Sequence, residues 1–248
     1  MVRAVLFDLD DTIVPLQTIA RWQWAWRPNG PVLPERHAHA AIRRELHAWD
    51  RRRWRGISGA EPPTTFEEYW SHLRETLLAV ADRPLPEEEV RAVVERFLKP
   101  AGPLEPFPDV APAFRHLESL SVPYGIVTPL PEEVGRGFLR RAGLEGARLL
   151  ATAPDSLPVP DRAAFRRIVA DFRARASETL YIGDLYWSDA RAAARAGLRA
   201  VLIDRDDRTP PASGPRIRSL SELPAVLSGE TAHAAPETAA DPAGSPPP

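Results

Sequence analysis

Apolar residues fall into two rhythms. Four short runs, Ala4–Leu9, Tyr124–Val127, Leu180–Ile182 and Ala200–Ile203, are rich in Val, Ile, Leu and aromatics and lack polar alternation. Runs of that kind predict strands buried on both faces, as in a parallel sheet. Arg148–Thr152 is a fifth, weaker candidate. Between the runs, apolar residues recur at helical intervals. Val134, Phe138 and Leu139 do so within Glu132–Ala142, and Phe165, Ile168, Val169 and Phe172 within Ala164–Arg173; each set predicts an amphipathic helix. Ser188–Ala196 is alanine-rich and stops at Gly197, a helix-ending residue. Strand alternating with helix predicts an α/β fold, a doubly wound parallel Rossmann-like sheet whose sites lie beyond the carboxyl ends of the strands.

Residues 15–103 break that rhythm. They hold no convincing strand, but Tyr69, Trp70, Leu73, Leu77 and Val80 stand at helical spacing, as do Val90, Val93, Val94, Phe97 and Leu98. An insertion this long needs a small core of its own, so it reads as an α-helical cap domain. The partition expected is a core domain of residues 1–14 and 104–228, a cap of 15–103, and an Ala/Pro-rich disordered tail of 229–248.

Composition narrows the chemistry. The 248 residues carry 32 basic against 34 acidic side chains, so no overall positive field points to nucleic acid. The absence of cysteine removes disulfides, thiol nucleophiles and thiolate metal sites. The single lysine, Lys99, lies outside any GxxxxGK[ST] run, which excludes that phosphate loop. No apolar run approaches the roughly 18 residues of a membrane span, and Ala4–Phe7 is too short for a signal peptide. A cytoplasmic, non-membrane protein is expected.

The first predicted strand ends in Asp8-Leu9-Asp10-Asp11-Thr12. Three carboxylates at a strand end repel one another and lose hydration, which makes sense around a cation or as a nucleophile beside an acid/base. Asp and Thr are also good turn and cap residues, so the pentapeptide alone leaves both readings open. A second acidic cluster favours chemistry. Tyr181-Ile182-Gly183-Asp184 closes another strand, Asp189 follows, and Thr128 ends a third strand. If those strands are neighbours, all these groups meet in one crevice.

This arrangement resembles the haloacid dehalogenase-like superfamily, in its phosphatase-type members with a helical C1-type cap. The resemblance spans about residues 3–228 and rests on Asp8-x-Asp10-x-Thr12, Thr128, the region Val159–Phe165 and Gly183-Asp184-xxxx-Asp189. It implies that Asp8 is the nucleophile, giving an aspartyl-phosphate, and that Asp10 is the general acid and base. It implies that Thr128 binds the phosphoryl oxygens, and that Asp8, Asp10 (through its carbonyl), Asp184 and Asp189 serve a Mg²⁺ ion. Family dehalogenases lack an aspartate two residues past the nucleophile, because a departing halide needs no proton. Asp10 therefore implies a phosphatase acting on a small phosphorylated molecule.

Two positions depart from that pattern, the smaller being Pro129 after Thr128, which removes an N–H that could meet phosphate. Where the family carries a lysine, this chain has Val159, in Val159-Pro160-Asp161-Arg162-Ala163-Ala164-Phe165. Loss of a cation beside clustered carboxylates is an electrostatic deficit. Arg162 is the first candidate to replace it at the phosphate; Arg136 and Arg140 are weaker ones. A catalytically impaired protein that binds a ligand or partner is the alternative reading. Within the cap, residues 15–60 hold nine arginines against three acids, with Trp22, Trp24, Trp26, Trp49 and Trp54 among them. Arg21 and Trp22 are the candidates there for contacting an anionic or aromatic substrate, while His37 and His39 read as surface residues.

Overall fold

The computed structural model describes residues 1–15, 74, 78, 84–98, 104–153, 162–205 and 214–230. Among these residues six strands form one parallel sheet: β1 (Ala4–Asp8), β2 (Tyr124–Pro131), β3 (Leu149–Ala153), β4 (Thr179–Gly183), β5 (Arg199–Ile203) and β6 (Arg216–Ile217). Their order across the sheet is β3-β2-β1-β4-β5-β6. Helices lying wholly among the described residues are α1 (Glu87–Leu98), α2 (Val110–Ser119), α3 (Glu132–Arg141), α4 (Arg162–Asp171), α5 (Ala192–Arg195) and α6 (Leu223–Ser228).

β1 sits at the centre and is buried throughout. Its side chains alternate between two apolar layers, as strand geometry requires. Val5 and Phe7 face a cluster built from Val110, Phe114 and Leu117 of α2, Phe138 and Leu139 of α3, and Leu223 and Val226 of α6. Leu6 faces the other cluster, with Phe165, Ile168 and Val169 of α4 and Ala192 and Ala193 of α5. Each large side chain so buried contributes about 1.5–3 kcal/mol. Helices on both faces explain why the strand sequences show no polar alternation.

The register decides what meets at the carboxyl edge. Asp8 pairs with Val127 of β2, one residue before Thr128, and Phe7 pairs with Ile182 of β4, so Asp8 comes level with Gly183. This is where chain order across the sheet reverses, the place at which doubly wound folds form crevices.

Several details differ from the sequence expectations. β2 continues past Thr128 to Pro131, with a register shift between those residues; Pro129 and Pro131 have no N–H to give to a regular ladder. The helix expected over Ser188–Ala196 begins instead as a π-helical turn, Tyr186–Arg191, and becomes α-helical only from Ala192. α2, α6 and the two-residue β6 are additions to the expected elements. α2 had a signal in Val110, Ala113, Phe114 and Leu117, all buried at helical spacing, whereas β6 is too short to give one. Gly229 and Glu230, placed with the tail, complete the end of α6. Gly229 takes the left-handed conformation (φ 84°), and Glu230 N–H donates to the Ala225 carbonyl. Residues 231–248, and the cap apart from Arg74, Leu78 and residues 84–98, lie outside the described residues. α1, from the end of the expected cap, buries Val90 and Val93 in the same cluster as Ile13 and Val110. No helix among the described residues is long and apolar enough to cross a membrane.

Candidate active site

β1 runs into a turn that closes on itself. The N–H groups of Ile13 and Val14 both donate to the Leu9 carbonyl at 3.1 Å, and Asp11 N–H donates to the Val14 carbonyl at 2.7 Å. Closure requires a positive φ at Asp11 (57°), a conformation that Asp tolerates better than most residues. Asp8 and Thr12 are buried and Asp10 is half-buried. The turn is also held from outside. Phe107 N–H donates to the Ile13 carbonyl at 3.0 Å, and Arg205 Nη2 donates to the Thr12 carbonyl at 2.8 Å.

The second acidic segment is shaped by a glycine. At Gly183, a Cβ would fall 2.5 Å from Cγ of Asp189, so only glycine lets that carboxylate lie against the strand end. The π-helical turn carries Asp189 back to this point, where Leu185 N–H donates to its Oδ2 at 2.8 Å. Tyr181 Oη donates to Oδ1 at 3.0 Å. The Tyr181 ring is buried, edge-on to Phe165 at 5.2 Å. Burial first, and then the charges of Asp189 and Asp8, push the phenol well above its usual range, so it stays a hydrogen-bond donor.

These two segments bring Asp8, Asp184 and Asp189 together: all three are buried, with carboxylate oxygens within 4.8 Å of one another. Burial, and then the charges of Asp189, Asp184 and Asp10, push the Asp8 carboxyl well above its ordinary value, opposed by a hydrogen bond from Leu9 N–H. Crowded, desolvated carboxylates are stable as anions only beside positive charge. An all-oxygen donor set of this kind fits a hard divalent cation such as Mg²⁺.

Of the residues singled out in the sequence, Asp8, Asp184 and Asp189 converge. Asp10 lies on the same turn, but its carboxylate is not part of the three-carboxylate group. Thr128 is buried one residue beyond the partner of Asp8. Arg162 opens α4, and Val159 lies outside the described residues, as do Arg21, Trp22, His37 and His39. Arg136 and Arg140 are exposed on α3, and Arg136 pairs with Glu132 at 2.7 Å. Two contributors were not anticipated: Tyr181, hidden inside a strand that reads as purely apolar, and Arg205, which gives no local signal because its partners are distant in sequence.

The fold and motifs have known counterparts. The family model described as haloacid dehalogenase-like hydrolase matches residues 2–197. The glyceraldehyde 3-phosphate phosphatase of Methanopyrus kandleri is 26% identical over 222 residues, 83% of this chain and 85% of that protein. Among solved structures, the HAD-hydrolase YfnB of Bacillus subtilis, bound to magnesium, aligns with a TM-score of 0.67 at 22% identity, over 92% of this chain and 99% of that one. The L-2-haloacid dehalogenase of Xanthobacter autotrophicus aligns with a TM-score of 0.66 at 17% identity, over 92% and 99%.

Proposed function

The chain belongs to the haloacid dehalogenase-like hydrolases, and on that footing we propose that it is a Mg²⁺-dependent phosphatase of a small phosphate monoester. The observation that carries this reading is the buried meeting of Asp8, Asp184 and Asp189 at the carboxyl edge of β1 and β4. Bound there by Asp8, Asp184, Asp189 and the Asp10 carbonyl, the ion would neutralise the carboxylates and the substrate's phosphoryl oxygens. Asp8 then attacks phosphorus in line, forming an Asp8–phosphate bond as the bond to the leaving oxygen breaks. Asp10 gives its proton to that oxygen, and next takes one from the water that hydrolyses the aspartyl-phosphate. Thr128 donates to a phosphoryl oxygen, and Arg162 is the candidate for the cation beside it.

Asp10 separates this reading from dehalogenation, since a departing halide has no use for an acid. The likeness to dehalogenase structures is a likeness of fold. A binding protein without turnover rests on Val159 and, less, on Pro129, and is not favoured by the acidic site. A three-carbon phosphate is the first substrate to try, given the Methanopyrus relative. The cap of residues 15–103 is the region proposed to select it. Phosphate release should be measured for glyceraldehyde 3-phosphate, sugar phosphates, nucleotides and p-nitrophenyl phosphate, with and without Mg²⁺. Release that needs Mg²⁺ and vanishes in Asp8→Asn is expected. No release from any ester, or near-wild-type turnover in Asp8→Asn, overturns the reading.

A further inference from the structure

Four stretches far apart in sequence are tied together at one guanidinium. Arg205 follows β5 and holds Asp109 with both arms, Nη1 to Oδ2 at 2.8 Å and Nη2 to Oδ1 at 3.1 Å. Its guanidinium lies 3.8 Å from the ring centroid of Phe107. Asp109 is completed by Ser219 Oγ at 2.7 Å and Leu220 N–H at 2.8 Å. With its geometry fixed on three sides, Arg205 directs its remaining Nη2 bond at the Thr12 carbonyl, 2.8 Å away.

That carbonyl belongs to the turn that carries Asp8 and Asp10. Inside the turn, the Leu9 and Val14 carbonyls are already engaged by the turn's own N–H groups. The Thr12 and Ile13 carbonyls point outward instead, to Arg205 and to Phe107 N–H. The turn is closed by its own hydrogen bonds, and these two outward bonds tie it to Arg205 and to the segment before α2. Asp8 is further held by strand pairing with β2, whereas Asp10 lies beyond the strand, bridged to Val14 within the turn that Arg205 contacts. We infer that Arg205 is a positioning residue: through the Thr12 carbonyl it aims the Asp10 carboxyl at the leaving oxygen. Lysine cannot replace it, because one ammonium cannot span both Asp109 oxygens, Thr12 and the Phe107 ring face.

The inference rests on the proposed phosphatase activity, and it predicts a particular kind of damage. Asp10 matters for expelling an alkoxide and hardly at all for expelling p-nitrophenolate, which leaves unprotonated. kcat/KM isolates this step, because it reports events up to formation of the Asp8–phosphate bond. Arg205→Lys and Arg205→Met should therefore lower kcat/KM for alkyl phosphates about 10–100-fold, part of what a general acid supplies, and change that for p-nitrophenyl phosphate less than about threefold. Ser219→Ala removes a bond to Asp109 without touching the turn, and should leave the ratio of the two esters unchanged. The lysine variant keeps the charge and serves if the methionine variant does not fold. Equal losses on both esters, or an unchanged ratio in folded Arg205→Lys, overturn the inference. A wild type inactive on both esters overturns the phosphatase reading, and the inference with it.

Discussion

Asp189 is held in place by contacts that leave little room for substitution. A methyl group at Gly183 would overlap its carboxylate carbon, so Gly183→Ala should displace the carboxylate while changing little else on β4. At the proposed Mg²⁺ site, the rise in melting temperature expected on adding the ion should shrink to the equivalent of an about 10–100-fold weaker affinity, the usual cost of disturbing a ligand's support. A full Mg²⁺ response in Gly183→Ala would disprove this. Tyr181→Phe keeps the ring against Phe165 and removes only the donor to Asp189. Leaving a buried carboxylate oxygen short of a partner costs about 1–3 kcal/mol, measurable by denaturant unfolding, and the loss should be smaller with saturating Mg²⁺. The carboxylates and the glycine were legible in the sequence because their spacing forms a motif. Tyr181 was not, because inside an apolar run a tyrosine reads as one more large ring, and only the π-helical return of Asp189 gives its hydroxyl a task.

Strands and helices were legible where apolar residues cluster, and their ends were less so. β2 overran its expected limit because two prolines bend the ladder without stopping it. The π-helical turn at Tyr186 has no sequence marker; it exists because Asp189 must come back to Gly183. The ion pair between Asp109 and Arg205 joins the start of α2 to the end of β5 across 96 residues, beyond the reach of any local pattern. It also predicts a pH dependence. Burial raises the Asp109 carboxyl, but hydrogen bonds from Arg205 and Ser219, the arginine charge and Leu220 N–H outweigh it and hold the group below its ordinary value. A carboxyl depressed on folding stabilises the protein above its unfolded pKa, about 3.9. That contribution is lost as pH falls through the lower folded value. The melting-temperature difference between wild type and Asp109→Asn should therefore be largest near neutral pH and narrow progressively below about pH 4. A difference that stays constant down to pH 2 would contradict the assignment.

For the molecule as a whole, the alternation of apolar strands and amphipathic helices was enough to specify a parallel sheet with helices on both faces. The strand order needed the register, since sequence spacing alone does not say that β4 lies beside β1. That order has a consequence for how the chain matures on the ribosome. Among the described strands β1 comes first in the chain and lies inside the sheet, and its partners begin at Tyr124 and Thr179. At about 5–20 residues per second, roughly 9–35 s of synthesis separate β1 from the end of β4. Through that interval Ala4-Val5-Leu6-Phe7 is a sticky segment with no lasting place to go. Nascent chains stalled before Gly183 should accordingly be protease-sensitive and recruit chaperones, and the crevice that gathers Asp8 and Asp184 comes into being only once β4 has joined β1.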